Sequence, residues 1–148
     1  MKKLIKTAFM YVAAAVAGGV FYREFTKFML FEERTTLAFV HVHLFVLGAG
    51  VFLILALFSL QTDLMEQKKF RMFYITYNIS LPLMVAMLLV RGICQVLNTP
   101  LSKGADAAIS GISGIVHILF TLALVLLFIC MKNLSLKKGR GEIENEIV

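Results

Sequence analysis

The sequence predicts an all-α integral membrane protein, a four-transmembrane-helix bundle with its N-terminus and C-terminus in the cytoplasm. Apolar residues make up 59% of the chain and charged residues only 16%, with a mean hydropathy of +0.85. This balance differs from that of soluble globular domains. Four separate apolar runs have about the 20-residue length that a spanning helix needs. The basic residues lie mainly at the ends of these runs, where they act as orientation signals.

Each predicted helix follows one apolar run. Together the four runs form a single transmembrane domain over residues 1–136, which leaves no room for a separate soluble domain. A polar tail follows at 137–148, and we expect it to be a mobile cytoplasmic end. The four predicted spans are 4–22, 36–60, 72–97 and 107–131.

The first run begins like a secretory leader, because Lys2 and Lys3 precede an apolar stretch rich in alanine. The run continues, however, to Phe21 and Tyr22. An aromatic residue at a membrane interface is typical of an uncleaved anchor. We therefore interpret the first run as a retained spanning helix.

The second run carries two histidines, His41 and His43, and no charged residue. Ionisable side chains are costly in hydrocarbon, so such residues commonly mark functional sites. At 100° per residue the two imidazoles point about 160° apart, and an undistorted helix does not let both bind one metal ion. His41 shares its face with small residues such as Gly48, whereas His43 points toward Gly50.

The third run contains Arg91, and Pro82 is expected to interrupt the backbone hydrogen bonds of its helix. The fourth run contains His117 within a stripe of small or polar residues, which permit close helix packing in lipid. We therefore predict that His117 faces protein. In the predicted topology Arg91 and all three histidines lie in the outer half of the membrane. The other members of the stripe are Ser110, Ser113, Gly114 and Thr121.

The basic residues are distributed unevenly between the two sides of the predicted membrane. If the N-terminus is cytoplasmic, ten lie on the inner side and four on the outer side, as the positive-inside rule requires. An even number of spans then places both termini in the cytoplasm. The inner residues are Lys2, Lys3, Lys6, Lys68, Lys69, Arg71, Lys132, Lys137, Lys138 and Arg140. The outer residues are Arg23, Lys27, Arg34 and Lys103.

The sequence disfavours several classes of function. The net charge of +6 does not indicate nucleic-acid binding, because the basic residues lie at helix ends and not on one polar face. The chain has no glycine-rich phosphate loop, C-x-x-C pair or G-x-S-x-G turn. No Asp or Glu lies within a predicted span, so enzymatic catalysis is not indicated. Cys94 and Cys130 lie in different spans near opposite faces, and we expect no disulfide.

Histidines on facing membrane helices, together with an arginine, are typical of a haem b site. Axial imidazoles from two helices hold the iron, small residues leave room for the flat macrocycle, and an arginine pairs with the propionates. We therefore predict that haem b is held by His117 and either His41 or His43, with Arg91 beside it. The small-residue face favours His41. Such a protein serves electron transfer, haem handling or gas sensing.

Two other interpretations of the same residues stay open. His41, His43 and His117 would also suit a copper or zinc site, or a small metal or proton carrier, because imidazole binds both metals. Alternatively, the polar stripes bind another membrane protein, and the chain is an accessory subunit without a cofactor. If His43 faces outward, a homodimer with a shared site would keep this imidazole out of lipid.

One stretch of the second run resembles a helix of a known family. Residues 41–52, His-Val-His-Leu-Phe-Val-Leu-Gly-Ala-Gly-Val-Phe, are similar to the helix of haem-copper oxidase subunit one that carries a His-x-His pair. In that family the two histidines ligate different haems. The present chain has only three histidines and four spans, so the resemblance does not imply oxygen reduction.

Nearly the whole chain resembles a family of small bacterial four-helix membrane proteins with no assigned function. The resemblance rests on residues 20–25, Val-Phe-Tyr-Arg-Glu-Phe, on the His41 and His43 pair, and on residues 109–117, Ile-Ser-Gly-Ile-Ser-Gly-Ile-Val-His. It implies a multi-pass protein of the bacterial plasma membrane. The bilayer is then one partner, and a redox or membrane-complex partner is a second.

Overall fold

A computed structural model of the chain consists of four long helices. It describes the backbone of residues 1–146 and the side chains of residues 1–134, so the side chains of the tail predicted at 137–148 lie outside the described residues. The all-α class is confirmed by these helices. Each of the four has a part long and apolar enough to cross a membrane. In chain order the helices are α1 (Lys2–Phe28), α2 (Leu37–Gln61), α3 (Lys68–Val96) and α4 (Lys103–Glu146).

α1 and α3 end in the same local motif. The residue after each C-cap has a positive φ, 52° at Leu30 and 48° at Asn98. The next amide returns to the last turn of the helix; Phe31 N–H bonds to the Thr26 carbonyl at 2.9 Å. This is the Schellman arrangement, which satisfies carbonyls that a helix end leaves free. The loops after α1 and α3 therefore begin with the same turn.

α3 is the central helix of the bundle. α2 and α4 pack against it, α4 along most of its described length, and α1 packs along α2. Tyr77 of α3 is fully buried, with its ring centroid 5.6 Å from that of Phe52 in α2 and 4.8 Å from that of Phe120 in α4. We call the end of the bundle near the start of α1 the Lys3 end, and the opposite end the Arg91 end.

α2 contains a π-helical segment, Leu44–Gly50. At its end the Val51 N–H bonds to the carbonyls three and five residues earlier, and not to Leu47, its partner in regular α-helical bonding. The Tyr77 hydroxyl of α3 donates to this Leu47 carbonyl at 2.7 Å. This hydrogen bond connects the π-helical segment of α2 to α3.

Gly48 allows α2 to pack closely on α1. A Cβ atom at Gly48 would lie only 2.5 Å from Cγ of Tyr11. Tyr11 also donates a hydrogen bond to Oδ1 of Asn78 in α3 at 2.9 Å. Nearer the Lys3 end, the hydroxyls of Thr7 and Tyr74 are 2.7 Å apart. These contacts join α1 to both α2 and α3.

Candidate functional site

His117 lies on α4 beside a cavity of about 290 Å³ at the Arg91 end. Its Nδ1 is 2.7 Å from the Ser113 carbonyl oxygen. Because a carbonyl only accepts hydrogen bonds, Nδ1 carries the proton of the neutral ring, and Nε2 of that tautomer keeps a free lone pair. The other residues that line the cavity are Met84, Met87, Leu88, Arg91, Ser110 and Ser113.

Arg91 forms the polar end of this cavity. Its guanidinium donates to the Ser110 hydroxyl at 2.8 Å and pairs with the Asp106 carboxylate at 3.1 Å. Arg91 also lines a second cavity of about 420 Å³, to which Glu33 and Arg34 contribute. The guanidinium therefore lies at the boundary between a cavity with methionine and leucine walls and one with charged walls.

His43 of α2 carries its proton on the same ring nitrogen as His117. Its Nδ1 is 2.8 Å from the Phe39 carbonyl oxygen, so its Nε2 also keeps a free lone pair. Thr36 precedes His43 by seven residues and therefore lies on the same face of α2. The Thr36 hydroxyl donates to the Leu88 carbonyl of α3 at 3.0 Å. His43 thus lies on the side of α2 that borders α3.

His43 and His117 occupy matching positions on either side of one contact layer. Leu47, one turn after His43, accepts the hydrogen bond from Tyr77. The Tyr77 ring packs on Phe120, which lies three residues after His117. Both histidines therefore lie about one turn from this layer, toward the Arg91 end.

A groove runs between α2 and α4 at this level. Both helices pack on α3, but over the residues with described side chains α4 makes no extended contact with α2. From the positions of the two histidines we infer that His43 borders this space on α2 and His117 borders it on α4, and we call it the His43–His117 groove. The cavity beside His117 is itself lined by residues of α3 and α4. The floor of the groove is the face of α3 that carries Met84 and Leu88.

His41 lies on the opposite side of α2, toward α1. Its ring stacks on that of Tyr22, with centroids 6.5 Å apart and planes 15° apart. A Cβ atom at Gly19 would be 3.6 Å from Cβ of His41, so α1 approaches closely here. Nδ1 of His41 is buried without a hydrogen-bond partner among the described residues. The structure therefore brings His41 to Tyr22 and not to His117.

His43 and His117 each present an Nε2 lone pair when neutral, and Arg91 lines the cavity beside His117. Across the part of the chain with described side chains, no group of three or more His, Cys, Asp or Glu residues is placed to hold a metal ion. Cys94 and Cys130 are both free. A pair of imidazoles suits a group that brings further metal ligands of its own, as haem does.

The polar stripe of α4 is mostly exposed within this chain, although Ser110 accepts a hydrogen bond from Arg91 of α3. His117 and three other members of the stripe are exposed, and a Cβ atom at Gly114 would meet nothing within 4 Å. The apolar face of α4 is buried instead, because its larger side chains make more contacts against α3. The exposed stripe residues are Ser110, Gly114, His117 and Thr121. The buried face includes Val116, Phe120, Ala123 and Leu127.

Several partners of the site residues were not predicted from the sequence. Phe39 and Ser113 each precede a histidine by four residues, and this spacing in a helix was a usable signal for the carbonyl bonds. Met84 and Leu88 precede Arg91 by seven and three residues, and this spacing places all three on one face of α3. Tyr22 as the partner of His41 had no such signal. This contact depends on which helices pack together.

The fold defines a class, an all-α bundle of four helices that are each long and apolar enough to span a membrane. The chain belongs to the family described as "Protein of unknown function (DUF2871)", which matches residues 1–134. This match includes all four spans and confirms the predicted membership of a family without an assigned function. No curated protein and no solved structure matches the chain. The resemblance of α2 to an oxidase helix stays a prediction.

Proposed function

We propose that the chain is a haem b-binding membrane protein with His43 and His117 as axial ligands. The observation that carries the proposal is that the two imidazoles make the same hydrogen bond. Each Nδ1 bonds to the carbonyl four residues earlier, so each Nε2 lone pair is free to bind iron. Such carbonyl bonds fix the orientation of a ligating imidazole. Bound haem would supply one-electron or gas-binding chemistry.

The packing of α2 and α4 on α3 limits how far apart the two imidazoles lie. Packed helices have axes about 8–10 Å apart. Since α2 and α4 each pack on α3, their axes are separated by at most about 20 Å. A bis-imidazole haem takes two axial ligands from the protein, whereas zinc sites take three or four protein ligands. The two imidazoles of the groove therefore favour haem over the zinc interpretation.

The surroundings of Arg91 match the two ends of a haem. Met84 and Leu88 offer apolar walls to a macrocycle, and Arg91 follows them toward the polar cavity that Arg34 also lines. Propionates that reach this boundary would meet a guanidinium, whose planar fork suits carboxylates. In this arrangement Arg91 would orient the haem by binding its propionates.

His43 is preferred over His41 as the second ligand. The small-residue face of α2 favoured His41 in the sequence, but that face packs on α1, where the His41 ring stacks on Tyr22. His43 borders the groove that His117 also borders. We therefore assign His41 to the contact between α1 and α2.

The proposed location is the bacterial plasma membrane, with both termini cytoplasmic. The uneven distribution of Lys and Arg supports this orientation. It places the Arg91 end, and with it the haem, on the outer side. A redox partner would then reach the haem edge from the outer face or within the membrane.

The decisive experiment is to purify the full chain in mild detergent from haem-supplied cells and to record oxidised and dithionite-reduced absorption spectra. We expect a strong Soret band with sharp reduced α and β bands. His43→Ala and His117→Ala should each abolish the bis-imidazole spectrum, whereas the matched control His41→Ala should keep it. A colourless protein that takes up no added haemin would refute the haem proposal. Loss of the spectrum in His41→Ala but not in His43→Ala would refute the assignment of the ligand pair.

The exposed stripe of α4 supports a second candidate, an accessory subunit or homodimer that covers His117. A polar side chain that faces lipid is costly, and small residues permit close approach of another helix. In that case His117→Ala leaves spectra and metal content unchanged but weakens assembly. Gel filtration of the full chain and of this variant in the same detergent distinguishes this candidate from the haem protein.

A further inference from the structure

An apolar slot lies between α1 and α3, on the side of α3 away from the His43–His117 groove. Its volume is about 740 Å³, larger than either cavity at the Arg91 end. None of the three histidines lines it. Small residues of α1, Ala14, Ala17 and Gly18, form one wall, and Pro82 and Ala86 of α3 contribute to the other.

The slot has the length of a lipid chain. Its lining extends along α1 from Thr7 to Phe21, a separation of about 21 Å at 1.5 Å per residue. That length is comparable to most of the roughly 30 Å hydrocarbon core of a bilayer. The volume divided over this length gives a narrow channel, not a broad chamber. Ala14, Ala17 and Ala86 are exposed, so the slot opens sideways, where a lipid chain can enter.

The two ends of the slot differ in polarity. Its wall at the Arg91 end is apolar and includes Phe21 and Leu89, whereas the Lys3 end carries hydroxyls of Thr7 and Tyr74. Beside these hydroxyls, the Lys3 ammonium lies 4.0 Å from the centroid of the Tyr74 ring. A cation thus stands at the polar mouth of an apolar channel. This is the complement of a molecule with an anionic head and a hydrocarbon tail.

We propose that this slot binds an anionic phospholipid, with one acyl chain between α1 and α3 and the phosphate near Lys3. Toward the Lys3 end, the hydrogen bonds of Thr7 with Tyr74 and of Tyr11 with Asn78 hold α1 against α3. Toward the Arg91 end, the small residues of α1 leave the channel open. An acyl chain fills a space that would otherwise lose dispersion contacts along both helices. The lipid therefore joins α1 to α3 where their side chains do not meet.

The test is native mass spectrometry of the delipidated full chain with added phosphatidylglycerol or phosphatidylcholine of identical acyl chains. We expect more phosphatidylglycerol to be retained. Ala14→Phe and Ala86→Phe, which fill the slot from opposite walls, should each reduce its retention. The matched control is Ala13→Phe, because Ala13 is an exposed alanine of α1 that does not line the slot. Lys3→Gln should reduce the preference for phosphatidylglycerol about fivefold, and Lys2→Gln less.

Two results would overturn the proposal. Equal retention of phosphatidylglycerol by Ala13→Phe, Ala14→Phe and Ala86→Phe would place the lipid outside the slot. Equal retention of both phospholipids by the unaltered chain, or extraction of a neutral isoprenoid from it, would show that the slot does not select an anionic headgroup. The slot and the haem groove share no residue, so the absorption spectrum of each variant reports separately on the haem proposal.

Discussion

Gly48 should be far less tolerant of a methyl group than another glycine of the bundle. In Gly48→Ala the new Cβ would lie 2.5 Å from Cγ and 2.7 Å from Cβ of Tyr11. Contacts under 3.0 Å are essentially never made by real Cβ atoms. Either α1 and α2 must separate, or the Tyr11 ring must move and strain its hydrogen bond to Asn78.

The expected cost follows from the kind of clash. Overpacking of a well-packed core typically costs about 1–3 kcal/mol. For a chain of this size, a loss of 1 kcal/mol lowers the unfolding midpoint by about 2–4 °C, so Gly48→Ala should lower it by about 2–12 °C. The matched control is Gly114→Ala, because a Cβ at Gly114 meets nothing within 4 Å. Alanine also favours a helix over glycine, so the control should be neutral or more stable.

The assay is thermal unfolding of each purified variant in the same detergent, followed by far-UV circular dichroism. An equal midpoint for Gly48→Ala and Gly114→Ala would refute the reasoning, because it would mean that α2 does not pack on Tyr11 as the structure has it. A lower midpoint for Gly114→Ala alone would instead indicate that the exposed face of α4 is covered by another helix.

Three further changes test other contacts. Tyr77→Phe removes the donor to the Leu47 carbonyl. It should destabilise the bundle by about 0.6–1.7 kcal/mol, from the mean to the maximum found for hydrogen bonds within a membrane. An unchanged unfolding midpoint would show that the π-helical segment does not need this bond. Gln95→Ala removes the acceptor that the Thr36 N–H uses at 2.9 Å at the start of α2, with an expected loss of about 1 kcal/mol in the same unfolding assay; Gln95→Glu keeps an acceptor and serves as its control. Arg91→Gln should leave the band positions of bound haem unchanged but increase the rate at which haem passes to apomyoglobin. An unchanged rate would show that Arg91 does not bind the propionates.

The four helices were predictable because membrane insertion depends on consecutive residues. The transfer free energy of about 20 neighbouring side chains decides whether a segment spans a bilayer. The predicted run 107–131 accordingly lies within the spanning part Lys103–Leu134 of α4. Helix ends were less predictable, since α1 continues to Phe28 by backbone hydrogen bonds that do not depend on hydropathy.

Side-chain directions within one helix were also predictable. His41 and His43 lie on different sides of α2, as a rotation of 100° per residue requires. Their Nδ1 contacts were not all predictable: His43 bonds to a carbonyl of its own helix, whereas the stacking of His41 on Tyr22 depends on the position of α1.

The class of the protein, the number of candidate spans and the small set of costly polar residues within them follow from the sequence. Only the packing of the helices brings His41 against Tyr22 of α1 and leaves most of the polar stripe of α4 exposed. A stripe of small residues is compatible with any close helix, in this chain or another. The choice of partner depends on contacts between residues far apart in sequence, such as Tyr77 with Phe120, and these contacts have no local pattern.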